Sequence, residues 1–157
     1  MSIRLTEARS SDAPLVAELV GELLHEIMAA IETKAFEFSL ADTETRARAW
    51  LTDGSYTVFL AREDDSVAGF LALVECRALY AEGTFGIVPE LYVRPDRRSR
   101  GVGRHLIEEA KQVARSRGWS RLEVTTPPLP QFDRTLAFYE RQGFRISGGR
   151  KMKVELR

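Results

Sequence analysis

Apolar residues along the chain repeat with two periods, and each period predicts a different kind of element. Alternation of apolar and polar residues, as from Ile3 to Ala8, is typical of a strand with one buried face. Pairs of apolar residues that recur every four positions, as from Leu15 to Met28, favour a helix with one buried stripe. The sequence thus predicts helices over residues 12–28, 43–51, 101–117 and 132–142, and strands over residues 3–8, 56–62, 67–77, 86–93, 121–125, 144–147 and 151–156.

Three features of this order indicate how the strands pair. Four polar residues from Glu63 to Ser66 join two β-rich runs and predict a hairpin. Pro89 lies inside a predicted strand and cannot donate to a ladder, so a bulge or a splayed edge is expected there. The helix over residues 101–117 joins two strands that must be parallel if they are neighbours. We therefore expect one α/β domain over residues 1–157.

Composition narrows the class of protein. The 23 basic residues balance the 23 acidic ones, so no overall field favours nucleic acid or an acidic membrane surface as a partner. The N-terminus lacks the apolar core of a signal peptide, and no apolar stretch is long enough to span a bilayer. Cys76 is the only cysteine, which excludes an intrachain disulfide and a Cys-rich metal site. We expect a cytoplasmic protein without a metal.

The segment from Glu90 to Arg104 carries the strongest chemical signal. A strand ends, a turn containing Gly101 and Gly103 follows, and a helix begins. The free N–H groups of a helix's first turn form a site for an anion such as a diphosphate, which glycines allow to approach the backbone closely. Arginine side chains can pair with phosphate oxygens in a bidentate way. Four arginines lie in this turn: Arg97, Arg98, Arg100 and Arg104.

Other glycine-rich phosphate motifs do not fit this segment. A dinucleotide-binding Gly-x-Gly-x-x-Gly would need glycine where the chain has Leu106, and no Gly-Lys-Ser/Thr of a P-loop follows. The remaining alternative to a phosphate site is a solvated basic turn that caps a helix.

The segment Arg98-x-x-Gly101-x-Gly103, placed after Leu91-Tyr92-Val93, resembles the acetyl-CoA motif of the GCN5-related N-acetyltransferase (GNAT) superfamily. The stretch from Ala137 to Phe144 is similar to the second signature of that family. The order and spacing of the elements also agree over nearly the whole chain. The resemblance implies a mixed, mostly antiparallel sheet of six to seven strands, splayed at the fourth strand and flanked by about four helices.

The same resemblance implies how the acyl donor, acetyl-CoA, would bind. The pantetheine arm would lie in the split of the sheet and bond to the strand like an added strand, and the pyrophosphate would lie on the amides of the loop. The cofactor-binding residues implied are Leu91, Tyr92, Val93, Arg98, Ser99, Arg100, Gly101, Val102, Gly103 and Arg104.

The resemblance also implies the catalytic roles. Tyr139 would donate a proton to the departing thiolate, and the backbone N–H of Val93 would bind the oxyanion. Glu90 would deprotonate the amine directly or through water, with Glu75 on the preceding strand, or water alone, as alternatives. A packed aromatic at Tyr139 and a surface carboxylate at Glu90 are the structural alternatives.

One position departs from the family pattern. Many relatives have an asparagine seven residues before the tyrosine, where it bonds to the pantetheine, and this chain has Phe132. Gln131 or Asp133 would have to replace that contact, or the contact is absent. His25 and His105, the only histidines, do not have a metal-binding spacing.

The expected function is therefore transfer of an acetyl group from acetyl-CoA to a primary amine of a small molecule, directly in a ternary complex. Acetylation of protein amines and a non-catalytic acyl-CoA sensor are the alternatives. The sequence does not identify the amine, and it leaves the oligomeric state open, a homodimer included.

Overall fold

The computed structural model describes residues 2–157 and contains a six-stranded mixed sheet with two helices on each face. The predicted α/β fold with about four flanking helices is confirmed. The strands are β1 (Ile3–Glu7), β2 (Thr57–Glu63), β3 (Ser66–Ala78), β4 (Gly83–Val88), β5 (Leu91–Val93) and β6 (Leu122–Val124); the helices are α1 (Ala13–Ile31), α2 (Leu40–Asp53), α3 (Val102–Ser116) and α4 (Asp133–Arg141).

The strand β3 organises the sheet because it is the longest and pairs along both edges. On one edge it forms the predicted hairpin with β2, closed by a two-residue turn in which Asp64 has a φ of 55°. On the other edge, the C-terminal part of β3 pairs with β4 and its N-terminal part pairs with β5, both antiparallel. The order across the sheet is β1-β2-β3-β4-β6, with β5 beside β3.

The predicted strand over residues 86–93 is two strands, β4 and β5, separated at Pro89 and Glu90. Between the pairs Val74–Ile87 and Leu71–Leu91, three residues on the broken strand lie opposite two on β3. This extra residue is the bulge that the proline predicted. Parallel pairing with β6 involves β4 alone, so among the described residues β5 has no strand on its outer edge. The result is an opening in the sheet beside β5.

Two apolar cores, one on each face of the sheet, fix the direction of each side chain on β5. Leu91 and Val93 pack with the core that α3 and α4 cover, which includes Leu106 and Tyr139. Tyr92, between them, belongs to the core that α1 covers. Because side chains alternate along a strand, Leu91 and Val93 point to one face of the sheet and Tyr92 points to the other.

The predicted strands over residues 144–147 and 151–156 are wrong. In the described part of the chain, no ladder forms after α4. Alternation alone does not make a strand, because a strand needs a partner edge and a core against which to pack. Phe144 packs against the core, but the apolar side chains farther along find neither: Met152, Val154 and Leu156 are 92%, 78% and 90% exposed.

Candidate active site

A large cavity of about 920 Å³ lies where β5 has no neighbouring strand, and α3, α4 and the C-terminal half of α1 line it. Its volume is within the range of small-molecule and cofactor sites, which are roughly 300–1,000 Å³. The residues that resemble the family motifs meet here. Those predicted from the sequence that line it are Leu91, Tyr92, Val93, Arg98, Ser99, Gly101, Val102, Gly103, Arg104 and Tyr139.

The first turn of α3 supplies unpaired N–H groups to the large cavity. Gly101 precedes the helix with a φ of 87°, a left-handed conformation that favours glycine. The first backbone bond of the helix runs from the His105 N–H to the Gly101 carbonyl, at 3.0 Å. The N–H groups of Val102, Gly103 and Arg104 therefore have no helical acceptor, and no acidic residue lies in this turn. Such a turn is suited to a phosphate group.

Gly103 also has a packing role that the sequence did not indicate. A Cβ at this position would lie 3.0 Å from the ring of Phe138 on α4, closer than ordinary van der Waals contact. The missing side chain lets α4 approach α3, and this approach brings α4 to the wall of the large cavity.

Three of the four arginines in the loop are held by protein groups. Arg98 donates to Glu26 on α1 at 2.7 Å and to the Val93 carbonyl at 2.8 Å. Arg97 donates to Ser66 at 2.6 Å and pairs with the buried Glu63. Arg100 lies 3.8 Å from the same carboxylate and is not part of the cavity lining. These arginines thus tie the loop to α1 and to the β2–β3 hairpin.

The free positive charge of the large cavity comes instead from Arg104 and from two arginines of α4 that the sequence analysis missed. Arg134 and Arg141 line the cavity, and within residues 2–157 neither they nor Arg104 form an ion pair. The spacing of these arginines could have indicated them from the sequence. Arg134, Phe138 and Arg141 follow one another at i, i+4 and i+7 and therefore share a helix face.

The outer edge of β5 presents backbone groups to the cavity. The bonds from the Ala72 N–H to the Glu90 carbonyl and from the Arg94 N–H to the Ala68 carbonyl, 2.9 and 2.8 Å, set the antiparallel pattern. With that register, Tyr92 bonds to β3, whereas the N–H groups of Leu91 and Val93 point outward. The Val93 carbonyl is taken by Arg98. Two N–H groups on one edge are therefore free to bind an extended ligand.

Tyr139 lies on α4 with its ring in the core, between Phe138 and Phe144 at centroid distances of 5.5 and 5.6 Å. Burial raises the pKa of its phenol to about 12, so the hydroxyl is protonated at neutral pH. Among the described residues, every fully buried side-chain N or O atom has a hydrogen-bond partner. The Tyr139 hydroxyl forms no hydrogen bond there, so its oxygen is not fully buried. The hydroxyl oxygen therefore has access to the large cavity, which the residue lines.

Glu90 lies on the opposite face of the sheet from Tyr139. Its carboxylate accepts a hydrogen bond of 2.5 Å from the Tyr56 hydroxyl inside a small cavity of about 200 Å³ between α1, α2 and the bulge. Burial raises the pKa of the Glu90 carboxyl, and the bond from Tyr56 opposes this in part. The structure thus does not bring Glu90 and Tyr139 into one cavity, although Leu91, next to Glu90, lines the large one.

The other candidates from the sequence have different places. Glu75 is exposed and accepts a hydrogen bond of 2.9 Å from the indole N–H of Trp119, outside both cavities. Phe132 lines the large cavity as the residue before α4, and Gln131 lines it as well, whereas Asp133 does not. Of the two residues considered for the missing asparagine contact, Gln131 is thus the one in place.

Within residues 2–157, no cluster of three or more His, Cys, Asp or Glu side chains could hold a metal ion. None of the helices in this range has the length and apolar character needed to cross a membrane.

Two solved structures share this fold. An integron cassette protein from the mobile metagenome of Cole Harbour Salt Marsh aligns with a TM-score of 0.80 at 23% identity, over 98% of this chain and 90% of that one. An aminoglycoside acetyltransferase from an uncultured soil metagenomic sample aligns with a TM-score of 0.77 at 19% identity, over 99% and 97%. At such identities the likeness shows the fold alone.

Sequence comparisons give the family. An IAA acetyltransferase from Azospirillum brasilense is 35% identical over 89 residues, which are 57% of this chain and 54% of that protein. The match therefore spans about half the length of that relative. The model of the acetyltransferase (GNAT) family matches residues 22–144, a range that includes the opening of the sheet, the start of α3 and all of α4. By this match over most of its length, the chain belongs to the acetyltransferase (GNAT) family.

Proposed function

We propose that this protein transfers an acetyl group from acetyl-CoA to a primary amine of a small molecule, directly and without an acyl-enzyme. The observation that carries the proposal is the large cavity, in which a free strand edge, an anion-binding helix start and a protonated tyrosine meet. Membership of the family supports the activity, and the names of two relatives, an IAA acetyltransferase and an aminoglycoside acetyltransferase, accord with a small acceptor.

In this proposal acetyl-CoA lies along the large cavity with its pyrophosphate at the start of α3. The outward N–H groups of Leu91 and Val93 are suited to the amide groups of the pantetheine arm and to the thioester carbonyl. Arg104, Arg134 and Arg141 provide charge for the phosphates. Arg98 joins them only if it leaves Glu26, and Arg97 and Arg100 act by holding the loop in shape.

The chemical step is an attack of the amine nitrogen on the thioester carbonyl carbon. A C–N bond forms, the C–S bond breaks, the Val93 N–H stabilises the oxyanion, and the Tyr139 hydroxyl gives its proton to the sulfur. Glu90 is our candidate for the base that takes a proton from the amine, approached through the opening beside β5. Burial raises the pKa of its carboxyl above the ordinary value, which makes it a stronger base.

The proposal is tested by measuring release of the CoA thiol from acetyl-CoA over a panel of small amines and one basic peptide. We expect a small amine to support turnover, and we expect Tyr139→Phe to lower kcat about 10²-fold or more, the usual contribution of a general acid. The phenyl ring fills the same space, so the melting temperature should change little.

Tyr80→Phe is the matched control, since Tyr80 is 79% exposed and lies outside both cavities. Full turnover by Tyr139→Phe would remove the role given to Tyr139. Turnover with the peptide alone would replace the small acceptor by a protein amine, and no turnover with any amine would favour a sensor.

A further inference from the structure

The small cavity between α1, α2 and the bulge has a charge at each end. The Glu90 carboxylate lies inside, fixed by the Tyr56 hydroxyl. Arg46 on α2 is exposed and also lines the cavity, so it is a residue of the cavity rim. In the described part of the chain, Arg46 has no carboxylate partner in any ion pair, in contrast to Arg48 two residues later, which pairs with Glu44.

The walls between the two charges are apolar and aromatic. Val16 and Val20 from α1 and Val58 from β2 lie on the core side. Trp50 and Tyr56 form an aromatic corner, with ring centroids 5.2 Å apart. Aromatic faces attract an ammonium group, and apolar walls favour an aliphatic side chain.

We propose that the small cavity binds the acceptor as a small aliphatic α-amino acid. Its carboxylate pairs with Arg46 at the rim, and its amino group lies against Glu90 near the opening beside β5. The valine residues contact the aliphatic side chain. This assignment of the acceptor rests on the proposed function, because the bound amine becomes the nucleophile that attacks the thioester.

Size and charge both select this class of amine. A volume of about 200 Å³ holds roughly six waters at ~30 Å³ each and is below the range of drug-sized ligand sites. A polyamine would place a second cation beside Arg46, where like charges repel. An amine without a carboxylate would leave the guanidinium of Arg46 without the bidentate partner that a carboxylate provides. An amino acid satisfies both ends at once.

Two sets of matched amines test the proposal. L-valine, L-valinamide and isobutylamine share a side chain, and L-alanine, L-alaninamide and ethylamine form a second set; only the amino acids carry the carboxylate. Binding is measured by calorimetry on the protein saturated with CoA, and acetylation is measured as thiol release from acetyl-CoA. We expect at least one amino acid to bind about tenfold or more tightly than its amide and its decarboxylated amine, as for a hydrogen bond between charged groups.

Arg46→Gln should abolish that preference and leave the affinity for isobutylamine unchanged. Arg48→Gln, with the same loss of charge on the same helix but no part in the cavity, should retain it. Arg46 is exposed, so its variant should fold, and an unchanged melting temperature checks this.

Equal binding of acid, amide and amine in both sets, or a preference that survives Arg46→Gln, would overturn the proposal. Thiol release with other amines would then leave acetyl transfer standing. Arg46-dependent binding of an amino acid without any thiol release would confirm the binding site and contradict the catalytic function.

Discussion

At the residue scale, the two proposed catalytic side chains are ionisable groups on opposite faces of the sheet, Tyr139 and Glu90. Tyr139 is buried among apolar rings, and its pKa of about 12 keeps it a proton donor across the physiological range. Glu90 has a raised pKa because burial disfavours its charge. A donor that stays protonated and a carboxyl that takes up protons readily are the two partners that acyl transfer to an amine needs.

The raised pKa of Glu90 has a consequence for stability. Above its ordinary value of 4.5 and up to its folded-state pKa, the folded protein holds a proton that the unfolded chain has lost. Stability falls as pH rises across that window, by the linkage of proton binding to folding. Glu90→Gln removes this titrating carboxyl, so it should have little effect on the melting temperature near pH 4.5 and raise it at pH 8. The expected rise is roughly 3–5 °C for each unit by which the folded-state pKa exceeds the ordinary value.

Thermal melts of the wild type and the variant from pH 4.5 to pH 8 measure this difference. Glu140→Gln, an exposed residue on α4, is the control and should give parallel curves. Parallel curves for Glu90→Gln as well would show that the carboxyl ionises normally. If Glu90 is the base, the variant should also lose the acid limb of the kcat/KM profile.

Single residues explain which parts of the site could be predicted from sequence. The start of α3 was legible because its glycines, its arginines and the preceding strand are contiguous in the chain. The face to which the Glu90 side chain points could not be predicted from the sequence. An extra residue at a bulge reverses the faces of the residues beyond it, and the exact position of the bulge depends on the pairing with β3. The Tyr56 partner of Glu90 is 34 residues away, beyond any local pattern.

At the scale of elements, α3 and α4 form the cavity together. α3 contributes the N–H groups of its first turn, whereas α4 contributes Tyr139 and two arginines, Arg134 and Arg141, that form no ion pair within residues 2–157. The four arginines of the loop were predicted as phosphate ligands from composition, but composition does not reveal which of them carboxylates already hold. Glu26 on α1 and Glu63 at the hairpin are those carboxylates.

This division of charge predicts different effects for arginines on different elements. Arg134→Gln and Arg141→Gln should each weaken acetyl-CoA binding about tenfold, because each removes a charge-assisted contact to a phosphate. The measurement is calorimetry with acetyl-CoA and with acetyl-dephospho-CoA. A variant that loses affinity for the first ligand but not for the second identifies the arginine that binds the 3′-phosphate.

Arg115→Gln, exposed near the C-terminal end of α3, is the control for the loss of one positive charge. Unchanged affinity for acetyl-CoA in both α4 variants would indicate that the arginines of the loop, and not those of α4, bind the phosphates. In that case Arg98→Gln should show the loss instead, since Arg98 lines the same cavity.

At the scale of the whole molecule, the sheet separates two cavities that lie on either side of the bulge. The large cavity is lined by α3, α4 and the C-terminal half of α1, and the small one is lined by α1, α2 and Glu90 of the bulge. The net charge of zero hides this arrangement, because acidic residues of α1 face the basic loop. In the proposed function, the donor and the acceptor therefore approach β5 from opposite faces of the sheet.

Direct transfer between a donor and an acceptor bound in these two cavities is tested by mass spectrometry of one reaction mixture. The protein is incubated with acetyl-CoA and a small amino acid, and N-acetyl product, free CoA and intact protein are measured together. Direct transfer predicts N-acetyl product and free CoA in equal amounts, with no acetyl group on the protein. Free CoA without N-acetyl product, or an acetylated protein that passes its group to the amine, would contradict it.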